Sequence, residues 1–127
     1  MESFKKLKAY QSAIQQANEI YKVSLHFPKE ENYSLTNQIR RSSRSVCANL
    51  AEGYRKRMYK PHFILKITDA DAENSETSVW LDFAEQCGYL NGDLLMSMRE
   101  ANLVVGRLLG HMLRNPGNYM DVTPKQD

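Results

Sequence analysis

QIRRSSRSVCANLAEGYRKR, Gln38 to Arg57, is the stretch that decides the fold. Ile39, Ser42/Ser43, Val46, Leu50 and Gly53 recur at spacings of three and four, the signature of one helical face. Yet Arg40, Arg41, Arg44, Arg55, Lys56 and Arg57 share the run with a single acid, Glu52. A helix this polar needs neighbours that accept small and polar groups. The serines in mid-stripe allow one to come close. Gly53 inside a helix costs roughly 1 kcal/mol relative to alanine, so close packing or a bend must compensate.

Working outward, the helix extends from about residue 35 to 58, with Ser34 as a candidate N-cap. Upstream, Leu7, Tyr10, Ile14, Ala17, Tyr21 and Leu25 keep the three–four rhythm over residues 3–27, and Pro28 ends it. Downstream, Tyr59, Lys60 and Pro61 make a break. A third helix over 61–87 follows, with Phe63, Ile67, Ala70, Asn74, Thr77, Leu81 and Ala84 on one face. The turn Gly88 to Gly92 leads to a fourth helix over 93–113, with Asp93 as its cap and the stripe Leu95, Met98, Asn102, Val105, Leu109 and Met112. Residues 115–127 hold two prolines and little apolar content and read as a flexible tail. The expected fold is all-α: one domain over 1–114, an antiparallel up-down-up-down four-helix bundle.

Charge is distributed unevenly along the 127 residues, although the net charge is only +2. Residues 35–66 carry eight Lys/Arg and one acid, whereas 67–98 carry seven acids and no Lys or Arg. Cys47 and Cys87 both lie in apolar-periodic segments and read as reduced, buried thiols of a cytoplasmic protein. The opening MESFKKLKAY has no apolar signal region, and no run approaches membrane-spanning length.

No catalytic constellation stands out. His26, His62 and His111 occur singly, without H-E-x-x-H, E-x-x-H or C-x-x-C spacing. Asp69, Glu73 and Glu76 share a face of the third helix, but a ferritin-like site needs Glu-x-x-His pairs that are absent. The reading is of a protein that is not an enzyme, with no metal, no cofactor and no evident small-molecule substrate.

Binding is the stronger class. Arg55, Lys56, Arg57 and Lys60, interleaved by Tyr54 and Tyr59, combine cations for phosphates with rings for bases. Arg40, Arg41, Arg44, Asn49, Glu52, Glu73 and Glu76 read as a polar packing and pairing set between the second and third helices. A second apolar stripe on the third helix, Val79, Trp80 and Phe83 with Cys87, reads either as a seam inside the bundle or as an oligomer interface.

The run Gln38-Ile39-Arg40-Arg41-Ser42-Ser43-x-Ser45-Val46-x-Ala48-Asn49-x-Ala51-Glu52-Gly53 resembles the signature of the 23S rRNA intervening-sequence proteins of bacteria. Phe4-x-x-Leu7, Phe63-x-x-x-Ile67 with Glu76-Thr77, and Gly88-Tyr89-Leu90 support the resemblance, which spans Phe4 to about Leu113. It implies an up-down-up-down bundle that assembles as a ring-like homopentamer. It also implies a distant similarity to the accessory protein of diversity-generating retroelements, a basic bundle that works with a reverse transcriptase and its RNA. No catalytic residues carry over. The acidic Asp69-x-Asp71-x-Glu73 departs from the small residues of many relatives and makes the outer surface less basic.

Two functions are thus expected. The first is a non-enzymatic homo-oligomer, a pentamer by the resemblance, that contacts nucleic acid (RNA first, then DNA) through the second helix. The alternative is a protein–protein adaptor or structural module that binds no nucleic acid.

Overall fold

A computed structural model describes residues 3–120. Four helices, α1 (Lys8–Ser24), α2 (Leu35–Arg55), α3 (Lys60–Gln86) and α4 (Gly92–Arg114), make up the bundle, and no strand occurs among the described residues. Short 3-10 turns at Phe4–Lys6, Lys29–Glu31 and Pro116–Tyr119 flank them.

Local chemistry moves several ends from their expected positions. The first helix does not begin at residue 3. Ser3 Oγ accepts the Lys5 amide at 3.1 Å and closes a separate turn, and Leu7 is extended (φ −65°, ψ 132°) before α1 starts. It ends at Ser24, short of residue 27, since a residue before proline disfavours helical geometry. α2 stops at Arg55 rather than 58: Arg57 Nη1 donates to the Tyr54 carbonyl at 2.8 Å and satisfies a helix-end acceptor. Ser34 does not cap α2 with its own oxygen. Its hydroxyl donates to Glu31 Oε1 at 2.6 Å, and that oxygen also accepts the Leu35 amide at 3.2 Å. Asn91, not Asp93, occupies the N-cap position of α4. Gly88 (φ 77°) and Gly92 (φ 60°) turn the chain between α3 and α4, a conformation that favours glycine.

The core forms two clusters. One joins Ala9, Ala13 and Ala17 of α1 to Val46 and Leu50 of α2, Phe63 and Ile67 of α3, and Val105, Leu109 and Met112 of α4. The other joins Ile20, Leu35, Ile39, Leu81, Leu95 and Met98 with Phe27 and Leu90. The first cluster therefore takes the N-terminal halves of α1 and α3 and the C-terminal halves of α2 and α4.

Between the clusters in each helix sits a buried polar residue. Gln16, Asn74 and Asn102 are 1%, 5% and 8% exposed. Gln16 Nε2 donates to Asn74 Oδ1 at 3.1 Å, Asn102 Nδ2 to Gln16 Oε1 at 2.9 Å, and Asn74 Nδ2 to the Asn102 carbonyl at 3.1 Å. From α2, the Ser42 hydroxyl meets Thr77 Oγ1 at 2.8 Å. Buried polar groups are tolerable because they satisfy one another.

The core stripes of α2, α3 and α4 coincide with those read from spacing. That of α1 is offset. Ala9, Ala13, Gln16, Ala17 and Ile20 point inward, while Ile14, Tyr21 and Leu25 are exposed. Small residues let α1 approach its neighbours, and Tyr21 lies instead beneath the arginines of α2. Cys47 is buried, but Cys87 is exposed, because the turn after α3 carries it clear of the core. Residues 115–120 are also not loose. The Tyr119 ring stacks on Phe63 with centroids 6.3 Å apart, its hydroxyl lies 2.9 Å from His111 Nδ1, and Met120 packs on the first cluster. The rest of the expected tail, 121–127, lies outside the described residues.

Candidate nucleic-acid interface

Gly53 sets the geometry where α2 ends. A Cβ there would lie 3.0 Å from Ile67 Cδ1 and 3.2 Å from Lys66 Cβ, so its absence lets α2 and α3 touch closely. Lys66 can then reach Glu52, with Nζ 2.7 Å from Oε1. The Lys66 hydrogen bond holds the Glu52 carboxyl below its ordinary range, and the lone acid of α2 is neutralised.

Beyond it the chain exposes Arg55, Lys56, Met58, Tyr59 and Lys60. Arg55, Lys56 and Lys60 make no ion pair among the described residues. Tyr59, 63% exposed, has its ring 5.7 Å from that of His62. Arg57 is half-buried, its guanidinium 3.7 Å from the centre of the Tyr54 ring. Tyr54 therefore carries its own cation, and Tyr59 is the ring left open for stacking.

The turn Phe4–Lys6 packs against α2, which adds Lys5 and Lys8 to the same neighbourhood. Sequence reading passed over these lysines because they lie far from Arg55 in the chain. The signal was present in KKLK at the head of a helix that runs back along α2.

The arginines of the first half of α2 are occupied. Arg40 Nε donates to Ser24 Oγ at 2.7 Å, and its guanidinium sits 4.6 Å over the Tyr21 ring. Arg44 lies 5.6 Å from the same ring. Both thus face α1 rather than α3. Arg41 does reach α3, with Nη2 3.1 Å from Glu73 and 2.5 Å from Glu76. Trp80 Nε1 donates to that same Glu76 oxygen at 3.0 Å. Burial would raise the Glu76 carboxyl, but the hydrogen bonds from Arg41 and Trp80 outweigh it and leave it below the usual range. Glu73 and Glu76 thus converge on a guanidinium. Asn49 spends its amide on its own helix, donating to the Ser45 carbonyl at 3.0 Å.

Further along the same face of α3, Val79 and Phe83 are 45% and 52% exposed, and the Trp80 and Phe83 rings lie 5.9 Å apart. Trp80 and Phe83, with Tyr33, Leu35 and Cys87, line an open cleft of about 410 Å³ that Glu31 and Gln38 also border.

The family profile described as 23S rRNA-intervening sequence protein matches residues 5–111 of this chain. Among solved structures, a protein of unknown function from the S23 ribosomal protein family of Bacteroides thetaiotaomicron is similar, with a TM-score of 0.74 and 21% identity, covering 84% of this chain and 95% of that one. At that identity the likeness speaks for the fold. No curated protein matches.

Proposed function

This chain belongs to the 23S rRNA-intervening sequence protein family, and from that premise we propose a non-enzymatic, cytoplasmic, homo-oligomeric bundle of antiparallel up-down-up-down helices that contacts nucleic acid, RNA first. The contact is the end of α2 and the start of α3. One observation carries the reading: Arg55, Lys56 and Lys60 stand exposed without an ion pair among the described residues, beside the open ring of Tyr59, while Glu52 is held by Lys66. Arg57, stacked on Tyr54, adds positive potential. Arg40, Arg41 and Arg44 have internal partners and act as architecture.

Phosphate contacts release counterions, so affinity falls as salt rises. Affinity for single-stranded RNA should fall steeply with salt, and Arg55→Gln, Lys56→Gln and Lys60→Gln together should flatten the log–log slope by about 2. An unchanged slope, or no RNA or DNA binding at low salt, would remove this reading.

Val79 and Phe83, exposed beside Trp80, which is half-buried against the second core cluster, support self-association, with the pentamer as the proposed assembly. The same face favours the second reading, a protein–protein adaptor that uses this surface and binds no nucleic acid.

A further inference from the structure

Between α3 and α4 runs an open groove of about 530 Å³. Its floor is the outer side of the buried amide layer, where Asn74 and Asn102 border it. Gly106 keeps that floor uncovered, since a Cβ there would stand 3.4 Å from Asn74 Nδ2. Ser75 and Ser78 line the groove from α3, and Leu103 from α4.

The neighbours of Asn102 fix which way its amide faces. Nδ2 lies 2.9 Å from Gln16 Oε1 and 3.1 Å from both oxygens of Asn74, so the nitrogen is the end turned into the bundle. Oδ1 then points away from the layer, toward the groove. Asn102 is only 8% exposed, yet its Oδ1 accepts no hydrogen bond from a described residue. Nor is this oxygen sealed from solvent, as the orphaned Thr36 Oγ1 is. A positioned acceptor at the floor of the groove is thus left for a donor from outside the fold.

Two unpaired charges border the same groove. Of the acids on α3, Asp69, Glu73, Glu76, Asp82 and Glu85 each pair with a cation, and Asp71 has no such partner among the described residues. Of the arginines on α4, Arg99 and Arg107 pair with carboxylates and Arg114 does not. Arg114 folds back over Gly110, its Nη1 3.0 Å from where a Cβ would stand. Asp71 and Arg114 both line the groove without pairing with each other.

A carboxylate, a guanidinium and an open acceptor between two helices call for one molecule that carries both charges. We propose that this groove binds the zwitterion of a free α-amino acid. Asp71 takes the ammonium, which also donates to Asn102 Oδ1 and to a serine hydroxyl. Arg114 takes the carboxylate, with Arg107 on the same wall. Both ends then make charge-assisted hydrogen bonds. Leu103 gives the ligand's side chain an apolar flank. A polyamine would meet the arginines and a dianion would meet Asp71, so a ligand of single sign suits the groove less well.

The test uses the full chain, labelled with ¹⁵N, and screens the standard amino acids one at a time. The side-chain amide of Asn102 and the backbone amide of Gly106 should shift with at least one of them at about 10 mM, a range that millimolar affinity reaches. The N-acetyl and carboxamide derivatives of that amino acid each lose one charge, and each should bind about tenfold more weakly. Asp71→Asn and Arg114→Gln remove groups without a described ion-pair partner. Each should weaken binding about tenfold while the urea midpoint stays that of the wild type. Asn102 and Gly106 resonances that stay still with every amino acid would overturn the inference. So would shifts that either derivative reproduces in full, or that both variants keep. A mass by light scattering that falls in Asp71→Asn and Arg114→Gln, with no amino-acid response, would give the groove to a second copy of the chain and overturn it as well.

Discussion

Asn102 on α4 donates to Gln16 on α1 at 2.9 Å, across 86 residues of chain, at a point where both side chains are almost wholly buried. Asn74 on α3 closes the set. The triad sits between the two apolar clusters and fixes how α1, α3 and α4 are set along one another. A slip of one helix by a turn would leave amide groups unpaired in a dry interior.

Asn102→Ala should therefore destabilise the protein by about 3 kcal/mol, combining an orphaned Gln16 acceptor with a small cavity. Urea denaturation measures it. Replacing all three together (Gln16→Met, Asn74→Leu, Asn102→Leu) should bring stability back to within about 1 kcal/mol, because no polar group is then stranded. A triple variant as unstable as the single one would show that volume, not hydrogen bonding, governs this layer.

Gly53→Ala tests the close contact of α2 and α3. Helix propensity favours alanine by roughly 1 kcal/mol, but the new methyl would lie 3.0 Å from Ile67 Cδ1 and 3.2 Å from Lys66 Cβ. Crowding should win, with a net loss of about 1 kcal/mol. In an Ile67→Val background, which removes Cδ1, the same change should cost less. A double-mutant cycle with no coupling would refute the contact as the reason for glycine.

Tyr89 donates its hydroxyl to Glu31 Oε2 at 2.8 Å and pins the α1–α2 loop to the turn after α3. The carboxylate pushes the Tyr89 phenol up to about 12, from an ordinary value of 10.0. A raised acid contributes stability below its unfolded pKa and loses it as pH climbs through the folded one, so the decline should fall between pH 10 and about 12. Glu31 is shifted the other way, by the Ser34 hydroxyl first, then Tyr89 and the Leu35 amide, so its contribution is present above pH 4.5 and fades below it. Tyr89→Phe should remove the alkaline limb and soften the acid one. Ultraviolet titration of phenolate, alongside denaturation at each pH, reads both. A Tyr89 that ionises with the exposed tyrosines would contradict the assignment.

Phe83→Glu places a charge on the exposed face of α3 without touching the core, since Phe83 is half-exposed. Light scattering should show the wild-type assembly and, for the variant, a fall toward the mass of a single 14.7 kDa chain. Equal masses for the two proteins would return Trp80 and Phe83 to a purely local role.

Much of the architecture was legible because helical periodicity is a local signal. On α3 and α4 every buried position was readable from spacing. α1 misled at Ile14 and Tyr21, which lie outside: Tyr21 serves as a platform for Arg40 and Arg44, and Ile20 with three alanines does the inward packing. Size suggested the wrong face, because a helix that must come close favours small side chains. In the candidate site, the charges of Arg55 to Lys60 were legible one by one. Which cations are engaged and which are open depends on partners from other helices, as with Lys66 at Glu52 and Tyr21 at Arg40.

The sequence by itself determined the four helices, the basic second helix beside an acidic third, and the family signature, since each is written in the order and spacing of neighbouring residues. Only the tertiary structure decided the partners. It joined Gln16 to Asn74 and Asn102, turned Arg40 toward α1 and Arg41 toward α3, and set the N-terminal lysines beside the end of α2. The physical reason is range. Propensity and periodicity act over a few residues, whereas hydrogen bonds and ion pairs between helices depend on a register that packing sets only once the whole chain has folded.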